Sequence, residues 1–423
     1  MNIEKSIDKL LDKRKYIFTS IIFASLLVQI LFILVLGDFE KHAKPIDYIN
    51  HYKPGAENIL RGKGYVNNDG ELILTFSPGY PLYLTLPLFV TNLTGFQDIT
   101  TIRIFNVFTT VASTIIFFLL VELLFNTRIA LFSTFIWMTY PFHLWLIKAP
   151  SSEIPFLLFF FGGLWLYFRA IIKDNNAYLV PGIILGCATL IRPIGLLLGL
   201  ICCIALPLLK RYPVKRQIFR GSIVLIGFFL AIFPWEMLMY VRTGEIIPLR
   251  KVEPEEIIPA YAFAIEPGAG GDQASIPDDV MALMLRLSEK KDFESKRAVV
   301  SYLMKEFIND PTPVIKLGLI KIARAWYATS SMWYENYILV IQLFYFITII
   351  PGLIIAFKQY REKIHTILFL LSIVMYFWGM TVIAKSILRY MVPVISLLFV
   401  FSAIVFDNLV KWGSGRDKES LVS

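Results

Sequence analysis

The sequence predicts an all-α polytopic membrane protein with about ten transmembrane helices. Three observations predict it. First, 57% of the 423 residues are hydrophobic and only 17% are charged, where a soluble domain carries roughly a quarter charged residues. Second, uncharged stretches long enough to span a bilayer recur along the chain. Ile17 to Leu36 contains no charge, which fits the roughly 30 Å hydrocarbon core at 1.5 Å rise per residue. Backbone amides in lipid must be satisfied within the segment, so such stretches are helices. Third, basic residues gather between these stretches in an alternating pattern.

The hydrophobic stretches fall near 17–36, 102–124, 129–148, 154–172, 178–191, 193–209, 221–240, 337–357, 364–384 and 390–410. The first is too long for the hydrophobic part of a cleavable signal, and no small-residue cleavage site follows Leu36, so it reads as a retained signal anchor. Tyr80 to Val90 is apolar but short and proline-rich. Tyr178 to Leu209 is too long for one span and is interrupted by Arg192-Pro193.

Charge bias chooses between topologies, because cytoplasmic loops carry an excess of Lys and Arg. The clusters are Lys9 to Lys15, Arg169 with Lys173, Lys210 to Arg220, Lys358 to Lys363, and Lys411 to Lys418. If 80–90 only dips into the outer leaflet and 178–209 forms two short helices, all five clusters face the cytoplasm. If 80–90 spans, the clusters after residue 126 face outward. The first arrangement places both termini inside. It divides the chain into a cytoplasmic N-terminus (1–16), an N-terminal transmembrane module (17–240) with an outer loop at 37–101, an outer-face segment (241–336), C-terminal transmembrane helices (337–410) and a cytoplasmic tail (411–423). The net charge of +9 is explained by this bias and does not call for nucleic acid. Cys187, Cys202 and Cys203 all lie in apolar runs and say little about redox compartment. No CxxC pair, HExxH, Walker loop or GxGxxG motif was found.

Ionisable residues at the ends of spans are functional candidates. The outer loop opens with Gly37-Asp38-Phe39-Glu40, and Asp47 follows. A carboxylate held there could act as a general base on an acceptor hydroxyl, although acidic turns at helix ends are commonly just solvated. Ala56, Ile59 and Leu60 fit an amphipathic interfacial helix ended by glycine. Ser77 to Leu82, with Tyr80, returns to the membrane, or serves as a structural turn. Glu153, Arg192, Lys385 and Arg389 lie at outer ends of spans, with Arg389-Tyr390 opening the last helix. Outward basic residues run against the charge bias. They suit an anionic headgroup, which arginine binds in bidentate fashion; snorkelling is the plainer account. The four histidines show no ligand spacing on one helix. A divalent cation on Asp38, Glu40 and His42 or His51 is conceivable, but no spacing demands it, and no metal site is assigned.

In their order, these pieces resemble the C-type integral membrane glycosyltransferases, close to family 39, the dolichyl-phosphate-mannose–protein mannosyltransferases, and to the aminoarabinose transferases of lipid A. The pieces are the acidic loop leading into Ala56 to Tyr65, Pro78-Gly79-Tyr80-Pro81-Leu82, Pro141 to Glu153, Gly186 to Pro193, Pro234-Trp235 with Arg242 and Gly244, and Arg389-Tyr390-x-x-Pro393. The resemblance implies the C-type fold, with 17–240 as the catalytic module. It implies a polyprenyl-phosphate sugar donor, a glycan, lipid or protein acceptor, and inversion at the anomeric carbon. It makes Asp38 or Asp47 the base, with Asp38 preferred. Glu153 would orient acceptor or base. Arg192, Arg389 and Lys385 would hold the phosphate, with Glu40, Tyr80 and Tyr390 beside the substrates. The chain departs from the family pattern at Thr243, where asparagine often follows the arginine, and at Phe76-Ser77, where an arginine often precedes the proline. The competing reading is a transporter or flippase of lipid-linked saccharides. That reading expects symmetry between halves and polar residues at mid-bilayer depth, whereas no inverted repeat is apparent and the polar residues gather at one face.

Overall fold

The computed structural model describes residues 2–36, 46–210, 213–252, 254, 256–258, 276–289, 293, 295–329 and 334–413. It divides into two compact units, Met1–Arg250 and Lys251–Ser423. All ten hydrophobic stretches lie on helices. Among the described residues, seven helices are long and apolar enough to cross a membrane, or eight if one bent pair counts as a span.

In the first unit, α1 (Asn2–Leu36) leads to α2 (Lys53–Leu60) and α3 (Gly79–Thr94). The amphipathic α2 begins one turn earlier than the apolar pattern alone suggested, and Gly62, at φ 74°, turns the chain away just after it. Then come α4 (Asp98–Leu124), α5 (Thr127–Thr139), α6 (Pro141–Ile147) and α7 (Glu153–Lys173). They are followed by α8 (Leu179–Ile191), α9 (Leu198–Leu209) and α10 (Val214–Thr243). The helix α3 returns alongside the start of α4: Thr91 Oγ1 donates to Thr101 Oγ1 at 3.0 Å, and the Tyr83 and Thr109 hydroxyls are 2.9 Å apart.

Two proline breaks shape this unit. Pro141 disfavours helical backbone at Tyr140, which is extended (φ −68°, ψ 115°), and α5 and α6 meet at a 58° bend. Pro193 does the same to Arg192 at the end of α8. Elsewhere, missing side chains let helices touch. A Cβ on Gly182 of α8 would stand 2.1 Å from the Val224 carbonyl oxygen of α10, and one on Gly227 of α10 would stand 2.3 Å from the Leu179 oxygen.

The unit has two chemically different ends. Where α7 finishes, Asp174 accepts from Arg220 at 2.6 Å, pairs with Lys210 at 2.8 Å and lies 4.0 Å from Arg216. Bonds to Lys210 and Arg220 hold its carboxyl below the usual carboxylate range. Where α4 finishes, Arg14 donates to Glu122 at 2.8 Å. Glu153 begins α7 and lies at the other end.

In the second unit, α11 (Asp278–Glu289), α12 (Lys296–Asn309) and α13 (Pro311–Arg324) pack around Val280, Leu283, Leu287, Val299 and Leu317. The spanning helices α14 (Glu335–Gln359), α15 (Ile364–Ile383) and α16 (Leu388–Gly413) follow. α14 and α16 approach closely at Gly352, where a Cβ would meet the Phe401 carbonyl oxygen at 1.9 Å.

Gly182→Val should lower the apparent melting temperature of the purified protein by the equivalent of about 1–3 kcal/mol, because backbone cannot yield to the added atoms. Gly379→Ala, on α15 with nothing near a new Cβ, should instead hold or gain stability, by about 0.5–1 kcal/mol. Equal losses in both would show that helix contact at Gly182 is not the cause. A depressed folded-state carboxyl stabilises above its unfolded value, near pH 4, and loses that contribution as pH falls through the folded value. Asp174→Asn should therefore be less stable at neutral pH and lose less on acidification; thermal scans of both proteins from neutral to acid pH check this.

Candidate functional site

Backbone chemistry at Arg192-Pro193 builds the centre of the candidate site. Arg192 leaves the helix in an extended conformation (φ −140°, ψ 114°) while its amide still donates to the Ala188 oxygen at 2.9 Å. Its guanidinium turns to the start of α7, where it pairs with Glu153 and donates to Ser152 Oγ at 3.0 Å. Glu153 is fully buried and also accepts from Ser151 Oγ at 2.7 Å. Glu153 also sits in the first turn of α7, where a negative charge suits the positive end of the helix dipole.

Pro78-Gly79-Tyr80 packs directly against this segment. A Cβ at Gly79 would lie 2.5 Å from both Ile191 N and Leu190 C, so only glycine lets the start of α3 abut the backbone leading into Arg192. Buried Tyr80 continues into an aromatic path: its ring is 4.9 Å from Tyr52, and Tyr52 is 4.9 Å from Phe76. The Tyr65 hydroxyl donates to the Phe76 oxygen at 3.2 Å, and its ring lies 5.7 Å from Trp235. Trp235 Nε1 donates to the Leu249 oxygen at 2.9 Å, and Glu236 accepts from the Leu249 amide at 2.7 Å. These two bonds hold Leu249 at φ 63°. Four pieces scattered from residue 52 to residue 249 therefore form one wall around the ends of α3, α8 and α10.

Asp47 is exposed and precedes a short π-helical turn, Tyr48–Tyr52. The next residue, Tyr48, is buried and donates to Asp98 Oδ2 at 2.9 Å, while Lys53 donates to the same oxygen at 2.7 Å. Burial and the Asp98 carboxylate push the Tyr48 phenol well above its ordinary range. Asp38 and Glu40 lie outside the described residues. Among the described residues no group of three or more His, Cys, Asp or Glu could hold a metal ion.

The structure adds residues that the sequence did not single out. Lys148 is buried, donates to the Leu36 oxygen at 2.6 Å and lies 4.4 Å from the Trp145 ring centre, so it fastens the end of α1. Asn106 donates to the Ile147 and Ala149 oxygens at 3.2 and 3.1 Å, and Arg103 Nε donates to the Lys148 oxygen. A lysine ending an apolar run, as in Leu146-Ile147-Lys148, was the available signal.

Lys385, Arg389 and Tyr390 belong to the second unit. Arg389 is exposed on the first turn of α16; Lys385 and Tyr390 are half-buried beside it. At the same end, buried Arg324 pairs with Glu335 at 2.6 Å, and Glu335 also accepts from the Thr329 amide at 2.9 Å. Buried Lys321 donates to the Ala384 oxygen at 3.3 Å, and burial pushes its ammonium down to about 7. The structure thus joins Glu153 and Arg192 directly and places Tyr80 on the adjoining helix. Asp47 stands outside that pairing, on an exposed turn.

Residues 78–236 match the dolichyl-phosphate-mannose-protein mannosyltransferase family. Among curated proteins none matches the chain by sequence. By structure the chain is similar to ArnT from Cupriavidus metallidurans, solved with undecaprenyl phosphate bound, at a TM-score of 0.57 and 13% identity, over 97% of this chain and 63% of that one. It is also similar to the oligosaccharyltransferase AglB from Archaeoglobus fulgidus, solved with an inhibitory peptide and a dolichol-phosphate, at 0.55 and 12% identity, over 96% of this chain and 52% of that one. The chain therefore spans less than two thirds of either neighbour's length. It is a multi-pass integral membrane protein with the fold of the C-type glycosyltransferases, and its central part carries the sequence pattern of the protein mannosyltransferase family.

Proposed function

We propose that the protein is a membrane glycosyltransferase that moves a sugar from a polyprenyl-phosphate donor to an acceptor hydroxyl. The observation that carries the reading is the Arg192–Glu153 pair, held at one end of the first unit by the Gly79 contact, in a segment that matches a glycosyltransferase family. A guanidinium preorganised at a dry helix end suits the charge that develops on a departing phosphate. The two structural neighbours, each solved with a polyprenyl phosphate, support that donor class.

In the proposed reaction, a carboxylate of the first loop, Asp38 or Asp47, takes the proton of the acceptor hydroxyl. The acceptor oxygen then bonds the anomeric carbon from the face opposite the phosphate. The bond from that carbon to the phosphate oxygen breaks, and polyprenyl phosphate leaves with inversion at the sugar. Glu153 is fully engaged with Ser151 and Arg192, so its proposed role is to aim the arginine rather than to touch the acceptor. Lys385, Arg389 and Tyr390 are proposed for donor binding, and Glu40 and Tyr80 for substrate positioning. The Glu153 end is proposed to face outward with both termini in the cytoplasm, since Arg14, Lys210, Arg216 and Arg220 gather at the other end. The acceptor is a glycan, lipid or protein hydroxyl.

Purified protein in lipid, given polyprenyl-phosphate sugars and candidate acceptors, should release polyprenyl phosphate and form a glycosylated product. Asp38→Asn or Asp47→Asn, whichever is the base, should lower turnover by about 10²–10⁴-fold with the fold intact. Full activity in both variants would overturn the base assignment. The buried pair supplies a second check. Arg192→Met alone should cost about 3–5 kcal/mol of stability by stranding a buried carboxylate, and the double change Glu153→Leu with Arg192→Met should recover most of it. Melting temperatures would register that recovery. Turnover should stay lost in the double variant, and recovered turnover would sink the role given to Arg192.

A further inference from the structure

The second unit carries an apolar face that its own packing leaves uncovered. On α12 the exposed residues Val300, Met304, Phe307 and Ile308 fall one and two turns apart, on one side of the helix. On α13, Ile315, Leu319 and Ile322 repeat the pattern, with Leu319 61% exposed and Ile308 73%. The opposite side of α13 is the packed one, with Leu317, Lys321 and Arg324 buried. Between α11 and α12 a groove of about 220 Å³ opens, lined mainly by apolar residues such as Leu283, Leu287, Val300, Leu303 and Phe307, with Glu306 its one charged group. An exposed apolar surface of this extent marks a binding face.

We propose that this face is seated in the lipid bilayer, so that α12 and α13 lie in the membrane interface and the groove takes up lipid hydrocarbon. Continuity with the spanning helices selects lipid over a protein partner. Trp378 Nε1 of α15 donates to the Ile322 oxygen at 2.9 Å, and Lys321 donates to the Ala384 oxygen just past the end of α15. The stripe on α13 thereby joins the surface of α15 that bears exposed Met375 and Ile383, which a spanning helix turns to lipid. The charge pattern agrees. Lys296 and Arg297 are exposed one turn before Val300, within reach of headgroup phosphates while the apolar residues enter the acyl region.

The test uses the full chain in phosphatidylethanolamine–phosphatidylglycerol vesicles that contain a phospholipid with a photoactivatable diazirine on its acyl chain. After irradiation, adducts are mapped by mass spectrometry. Peptides covering 296–324 should be labelled as strongly as those covering α14, whose Phe344 is 69% exposed. The Ile308→Asp, Leu319→Asp double variant should lose label on 296–324 by roughly two-fold or more while α14 keeps its own, because a charge opposes insertion. Absence of label on 296–324 alongside labelled α14 would overturn the proposal.

Discussion

Three spanning helices begin on a carboxylate, and each carboxylate is tied to a cation from another segment. Asp98 opens α4 and accepts from Lys53. Glu153 opens α7 and pairs with Arg192. Glu335 opens α14 and pairs with Arg324. The physical reason is shared. The first turn of a helix leaves amides without partners and a positive dipole end, which a carboxylate answers. The same carboxylate must then have a counter-charge if it is buried, as Glu153 and Glu335 are. Each acid therefore fixes a helix start and draws a second segment to it, which joins loops to bundle ends without a hydrophobic contact.

The pairs are usable only because backbone chemistry delivers the cations. Arg192 reaches Glu153 because Pro193 takes it out of the helix, and because Gly79 lets α3 close on Leu190 and Ile191 from another side. A side chain at residue 79 would push α3 off that backbone. The aromatic path from Tyr80 through Tyr52, Phe76 and Tyr65 to Trp235 then carries the same wall to the end of α10. The residues that make the C-type resemblance are thus largely those that hold this wall together, which explains why they recur at wide spacing in the chain.

Hydrophobic runs made the helices legible: all ten apolar stretches lie on helices, and Arg192-Pro193 is a break as expected, whereas the break at Tyr140-Pro141 falls inside the 129–148 stretch that reads as one span. Glu153 and Arg192 were legible as ionisable residues at helix ends, but their pairing was not. Nothing in the linear order tells that residues 39 positions apart meet, since that depends on how α7 and α8 pack. Lys148, Lys321 and Glu335 escaped notice for a related reason. A single charge beside an apolar run looks the same whether it snorkels to water or turns inward to a carbonyl, and only the fold decides between the two. Asp38 and Glu40, outside the described residues, keep the standing that the sequence alone lends them.

Lys321 shows how the buried charges differ among themselves. Glu153 and Glu335 each have an arginine against them, so removing one partner strands the other. Lys321 has a carbonyl oxygen at 3.3 Å, and burial pulls its ammonium down to about 7. Folding then favours the neutral amine, so the unfolded chain holds the extra proton between about 7 and the ordinary lysine value near 10. Stability contributed by this group rises as pH climbs through that window, the same direction that Asp174 gives on the acid side, because both groups have depressed folded-state values. Burial of a lysine at the junction of α13 and α15 is costly at neutral pH, and it is maintained where α13 meets the end of a spanning helix.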